Sequence, residues 1–164
     1  MRLLLEDLGP TFIKLGQMLS TRPDMIPDEY AKELGNLRDS VPPFPFEKVK
    51  ELLESELGKT IPDIFESFEK EPIAAASIGQ VHVAVLKAGK KKVAVKIQRP
   101  DVKEMIRADL NILNDMASIL RRSFNNIDNF DPESVIEEFG HMILREIDYT
   151  LEGRNIERFK NNLG

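Results

Sequence analysis

Lys96 ends the run Val93-Ala94-Val95-Lys96. Fifteen residues before it stands Val81, the last residue of Ala74-Ala75-Ala76-Ser77-Ile78-Gly79-Gln80-Val81. A lysine on a strand next to a loop of small residues is suited to holding nucleotide phosphates, because the loop amides can approach the anion and the ammonium group offsets its charge. Read backwards from Val81 on the loop pattern G-x-G-x-x-G-x-V, Ala74 and Ala76 take the first two glycine positions and Gly79 keeps the third. Glycine serves in such loops because amides must come close to a phosphate and because φ > 0 costs a residue with a Cβ on the order of 1 kcal/mol. The alanines are therefore expected to stiffen and reshape the loop.

Period-two alternation places Lys96 with Ala94 and Gln98 on one strand face, opposite Val93, Val95 and Ile97. Taken alone, V-A-V-K describes a solvated strand lysine. With the loop upstream it becomes a phosphate lysine, and a lysine among apolar neighbours needs an anionic partner. Glu146 and Glu152 are the candidate carboxylates. On one continuous helix Asp148 and Glu152 share a face while Glu146 projects away from both, so two different partners are implied. Lys14 and Gln17, three residues apart, form a further polar pair on a helix surface.

These groups need a scaffold, and 164 residues suffice for one domain with a core of its own. The absence of cysteine excludes disulfides, thiolate metal sites and cysteine nucleophiles. The two histidines, His82 and His141, lack metal-ligand spacing and are read as structural, so no metal site is expected within the chain. A formal net charge of −5 with 31% charged residues argues against nucleic-acid binding by bulk charge. Glu6 and Asp7 end the apolar run Leu3-Leu4-Leu5 too early for a signal peptide, and no stretch reaches membrane-spanning length. A cytoplasmic setting is expected, with any membrane association peripheral.

Gly9-Pro10 separates two short helices, the second over residues 11 to 21 with an apolar stripe of Phe12, Leu15, Met18 and Leu19. A helix follows over residues 28 to 37, then the rigid connector Val41-Pro42-Pro43-Phe44-Pro45, then a helix over 46 to 57 closed by Gly58. A helical turn near 62 to 65 precedes a sheet that begins near residues 68 to 73. Val81, Val83 and Val85 alternate with His82, Ala84 and Leu86 in an antiparallel hairpin with the strand of Lys96. Its basic tip, Lys87 and Lys90 to Lys92, surrounds Ala88-Gly89. Pro100 opens a long helix carrying Val102, Ile106, Leu110, Leu113, Ala117 and Leu120. Asp131-Pro132 caps another that carries Val135, Ile136, Phe139, Met142 and Ile143 and runs on through Glu146, Asp148 and Glu152.

Lys14-Leu15-Gly16-Gln17, Ala74 to Ser77, Val93 to Lys96 and Glu146-Ile147-Asp148 together resemble the KxGQ, alanine-loop, lysine-strand and ExD signatures of the UbiB family of atypical protein-kinase-like proteins. The resemblance covers residues 8 to 159. It implies an α+β fold: a kinase-like N-lobe at 61–164, with a small antiparallel sheet packed with helices, preceded by a helical KxGQ extension at 1–60. It also implies that Ala74, Ala75, Ala76, Ser77, Gly79, Val81, Ala94, Lys96 and Glu152 bind an adenine nucleotide, with Glu152 as the helix partner of Lys96. Glu146 would pair with Lys14 of a regulatory helix lying where a protein substrate would enter, and Gln17 and Asp148 would support that closure. A buried pair of this kind would be costly to break, at about 3–5 kcal/mol.

Members of that family are associated with ubiquinone and other prenyl-quinone metabolism, bind ATP and ADP, and hydrolyse ATP. Their magnesium ligands, a catalytic-loop aspartate and asparagine and a D-F-G aspartate, belong to a C-lobe, and neither motif occurs in this sequence. The 164-residue chain is therefore expected to lack catalytic residues and turnover of its own, and to self-associate through an exposed lobe interface. A second expectation is a non-catalytic helical module for a membrane surface, a prenyl lipid or a partner protein, motivated by Leu3, Leu4, Leu5, Leu8, Phe12, Leu15 and Leu19.

Overall fold

A computed structural model describes residues 1–37, 41–123 and 131–163. In chain order the elements are α1 (Arg2–Leu8), α2 (Pro10–Ser20), α3 (Asp28–Leu34), α4 (Phe46–Leu57), α5 (Ile61–Ile64), β1 (Phe65–Phe68), β2 (Ala74–Ala75), β3 (Gly79–Leu86), β4 (Lys92–Gln98), α6 (Val102–Ser123), α7 (Pro132–Glu146) and α8 (Tyr149–Leu163). Helices with one small antiparallel sheet make the α+β class expected from sequence. The chain forms two compact units, a sheet unit at residues 38–102 and a helical unit from 1–37 and 103–164.

In the sheet unit β3 is the central strand. β4 runs antiparallel along one edge, from Gly79↔Gln98 to Val85↔Lys92. β1 and β2 share the other edge, β1 beside the end of β3 and β2 beside its start. Between them the Glu69 amide donates to Val83 O at 2.9 Å and the Ile73 amide to Val81 O at 2.8 Å, so this edge stays stitched where the strand is interrupted. The β3–β4 turn has Gly89 at φ 73° and Lys90 at φ 52°, two consecutive left-handed residues whose twist suits a hairpin. Alternation sorts the faces. Ala84, Leu86, Val93, Val95 and Ile97 pack with Phe44, Val49, Leu53 and Phe65 in the apolar core shared with α4 and α5. α4 ends at Gly58 in the left-handed conformation, φ 62°, as its position after Leu57 foretold.

In the helical unit Pro10 starts α2 directly after Gly9, whose φ of 102° turns the chain out of α1. The buried residues of α2 are Thr11, Ile13 and Gly16. The stripe read from sequence, Phe12, Leu15, Met18 and Leu19, is only half-buried. The reason is packing by small residues: a Cβ on Gly16 would stand 2.4 Å from Leu37 Cδ1 and 2.8 Å from Leu5 Cδ1. Thr11 joins the buried face because its hydroxyl donates to Asp109 Oδ2 at 2.5 Å. Gly16→Ala should therefore overpack this contact and destabilise the chain by about 1–3 kcal/mol in urea denaturation. An unchanged midpoint would show that Leu5 and Leu37 swing aside.

α6 buries Ile106, Leu110, Leu113 and Ala117, and α7 buries Val135, Ile136, Phe139 and Ile143. Leu120 and Met142, expected on the same stripes, are exposed. Asp131 caps α7 by accepting the Glu133 amide at 3.2 Å, as its place before Pro132 indicated.

Candidate functional site

The alanine run forms an edge strand that folds back tightly onto β3. Ala74 pairs with Val81 and Ala75 with Gln80, and the Ala76 amide donates to Gly79 O at 2.8 Å across the turn. Ser77 and Ile78 at the tip are buried. Gly79 lies within β3 opposite Gln98, and it is not among the glycines with positive φ. The left-handed glycine anticipated for a phosphate loop is therefore not used here. With the backbone in strand geometry, a Cβ at Ala74 or Ala75 carries no conformational penalty.

Cross-strand neighbours share a face. Val81 stands directly opposite Lys96 and Val83 opposite Ala94, so Ala74, Val81, Ala94 and Lys96 lie on one face, with Gly79 and Gln98 one pair further on. Ala94 and Lys96 are exposed. Ala75 belongs to the opposite face with Gln80. The face of Lys96 thus combines a small apolar floor with an accessible ammonium group, which suits a flat ring carrying an anionic tail.

The opposite face holds a polar cluster that sequence reasoning missed. Gln80 Oε1 accepts the Phe44 amide at 2.9 Å, and Gln80 Nε2 donates to Phe44 O at 3.3 Å and to His82 Nε2 at 3.0 Å. His82 Nδ1–H then donates to Glu69 O at 2.8 Å. These partners fix the imidazole as the Nδ1–H tautomer with Nε2 accepting. Gln80 and His82 are almost fully buried, and every polar atom of the pair has a use. Arg99 completes the cluster. Its Nη2 donates to Pro42 O at 3.1 Å and to Ala76 O at 3.3 Å, its amide to Ile78 O at 2.8 Å, and its guanidinium lies 5.5 Å from the centre of the Phe44 ring. The sequence signal was available: polar residues at alternate positions of a valine-rich strand require buried partners.

In the helical unit Lys14 Nζ lies 2.6 Å from Glu146 Oε1, with the lysine side chain 13% and the glutamate 41% exposed. The pair is thus not buried, and its contribution is nearer about 1 kcal/mol than the value for a desolvated bridge. Gln17 Nε2 donates to Leu37 O at 3.2 Å, tying α2 to the end of the segment after α3.

The continuous helix expected through Glu152 is interrupted. Asp148 Oδ1 accepts the amides of Thr150 at 3.0 Å and Leu151 at 3.3 Å, capping α8 where α7 has ended. The helical-wheel relation between Glu146 and Glu152 fails across this break. Glu152 is exposed in the first turn of α8, and Lys96 belongs to the sheet unit.

Hydrogen bonds from Thr150, and then from the Leu151 amide, hold the Asp148 carboxyl below its usual value of 3.8. A folded-state value depressed in this way gives stabilisation that is present above the unfolded value and is lost as pH falls through the folded one. The melting difference between wild type and Asp148→Ala should therefore be full near neutrality and shrink below about pH 4. A difference that stays constant into acid would mean that the charge of the cap is irrelevant.

A small antiparallel sheet whose central strand lies between the alanine strand and the strand of Lys96, together with helices, is compatible with a kinase-like N-lobe. The ABC1 atypical kinase-like domain family matches residues 36–164, and the chain belongs to that family, the UbiB group of the sequence analysis. Over 162 residues, 99% of the chain, it is 45% identical to the Arabidopsis thaliana chloroplastic protein Activity of BC1 Complex Kinase 1, covering 24% of that protein. It is 43% identical to the probable protein kinase UbiB of Shewanella frigidimarina, covering 30% of it. The chain thus spans less than a third of the length of these relatives. Among solved structures, Rv3197 of Mycobacterium tuberculosis, determined with erythromycin, is similar with a TM-score of 0.56 and 35% identity over 90% of this chain and 37% of that one. No helix among the described residues is long and apolar enough to cross a membrane.

Proposed function

We propose that the chain is the nucleotide-cradling and regulatory part of an atypical kinase or ATPase that serves ubiquinone or related prenyl-quinone metabolism. The observation that carries this reading is the shared face of Ala74, Val81, Ala94 and Lys96. Lys96 pairs the phosphates of ATP or ADP, Val81 and Ala94 contact the adenine, and the loop from Ala74 through Ser77 to Gly79 borders the phosphates. Glu152 takes the carboxylate role that the family resemblance assigns it. Magnesium, when bound, offsets phosphate charge. Its ligands would be mainly the C-lobe residues that the family resemblance implies. α2, anchored through Lys14–Glu146 and Gln17, is the autoinhibitory helix, with Asp148 supporting it by capping α8. The test is amide exchange with and without ADP. Protection should concentrate in residues 74–81 and 93–98, and protection confined to other segments would overturn the reading.

A second reading draws on α1, where Leu3, Leu4 and Leu8 are exposed rather than packed in a core. These residues suit peripheral contact with a membrane or prenyl lipid. Flotation with anionic liposomes, with and without a prenyl-quinone precursor, tests it, and an unbound chain removes it.

A further inference from the structure

We infer that Arg99, acting with Gln80, is the positioning residue that sets the shape of the alanine loop from the sheet face opposite Lys96. One guanidinium nitrogen joins two carbonyls from distant parts of the chain, Ala76 O in the loop and Pro42 O in the proline-rich connector. The Arg99 amide holds a second loop carbonyl, Ile78 O. The connector cannot drift, because Gln80 grips both the N–H and the C=O of Phe44 and the Phe44 ring lies against the guanidinium. Residues 41–45 and 74–80 are thereby one hydrogen-bonded body.

The arrangement is specific to arginine. Nη2 donates to both carbonyls while the flat guanidinium lies by the Phe44 ring, and a lysine ammonium, although it could reach two carbonyls, has no flat face to lay against that ring. The guanidinium meets carbonyls and a ring, which sets a positive charge next to the loop. Burial pushes its pKa below the usual arginine value. Arg99 Nε is buried without a hydrogen-bond partner. Two effects follow. The clamp fixes the direction of the loop amides, and the charge adds positive potential where an anion would sit.

The functional consequence rests on the nucleotide reading above, so the experiment has an arm that does not. Arg99→Gln and Arg99→Lys are compared with wild type by amide exchange without ligand, and by titration with ADP and with adenosine. Exchange should accelerate in residues 41–45 and 74–79 of both variants and stay unchanged elsewhere. ADP affinity should fall about tenfold in Arg99→Gln and about threefold in Arg99→Lys, with adenosine affinity unchanged, because only the phosphate-dependent part of binding senses the loop. Unchanged loop exchange in both variants overturns the clamp. An equal loss for ADP and adenosine overturns its link to phosphate. A wild-type chain that binds no ADP would defeat the nucleotide reading, and the exchange comparison would still decide the clamp. Gln80→Asn, too short to reach Phe44, should reproduce the same exchange pattern with Arg99 intact.

Discussion

Gln80→Leu should destabilise the sheet unit by about 3 kcal/mol, because it leaves several buried polar groups without partners at once. Leucine nearly matches glutamine in volume, so little cavity is made and the loss is almost wholly polar. The Phe44 amide, the Phe44 carbonyl and His82 Nε2 each lose the partner that the glutamine amide supplies. An unsatisfied buried group costs roughly 1–3 kcal/mol, and relaxation of the connector into water would recover part of that. Gln80→Glu should be at least as harmful. A carboxylate still accepts from the Phe44 amide, but it turns an acceptor towards Phe44 O and His82 Nε2. Urea denaturation followed by circular dichroism measures both variants. A loss below about 1 kcal/mol for leucine would mean that water enters and satisfies the site.

Lys96→Ala should behave in the opposite way, leaving stability within about 0.5 kcal/mol of wild type while removing nucleotide binding. Lys96 is exposed on the face away from the Gln80 cluster, so its truncation opens no cavity in the core. Its loss removes the cation placed directly opposite Val81, the β3 residue that also pairs with Ala74. A ligand that binds only the folded state raises the melting temperature by mass action. Saturating ADP should therefore raise that of wild type by several degrees and leave that of Lys96→Ala unmoved. Equal shifts in the two proteins would place the bound nucleotide elsewhere. The two substitutions separate the two sides of one strand pair, one serving the fold and the other the ligand.

Much of the architecture was legible because proline and glycine punctuate it. Gly9-Pro10, Gly58 and Gly89 mark places where backbone conformation, rather than packing, decides the structure. The face of Lys96 was legible for a similar reason, since strand alternation is rigid and needs no knowledge of neighbours. Reading failed where a local competitor or a distant partner decided. Asp148 starts α8 through its own side chain just after α7 has ended, and apolar periodicity does not register that choice. α2 buries Thr11, Ile13 and Gly16 instead of Phe12, Leu15, Met18 and Leu19, because Asp109 and Leu37, remote in sequence, fit against Thr11 and Gly16. The Gln80–His82–Arg99 cluster depends on carbonyls of residues 42, 44, 69 and 76, and backbone groups carry no sequence signal.

The claim that the alanine edge and Lys96 form a phosphate site is tested most directly by calorimetric titration of Mg-ADP into the wild-type chain and into Lys96→Ala. The account predicts saturable binding at one site in wild type and none at the same concentrations in the folded variant. Binding of equal affinity in both, or none in a folded wild type, would contradict it.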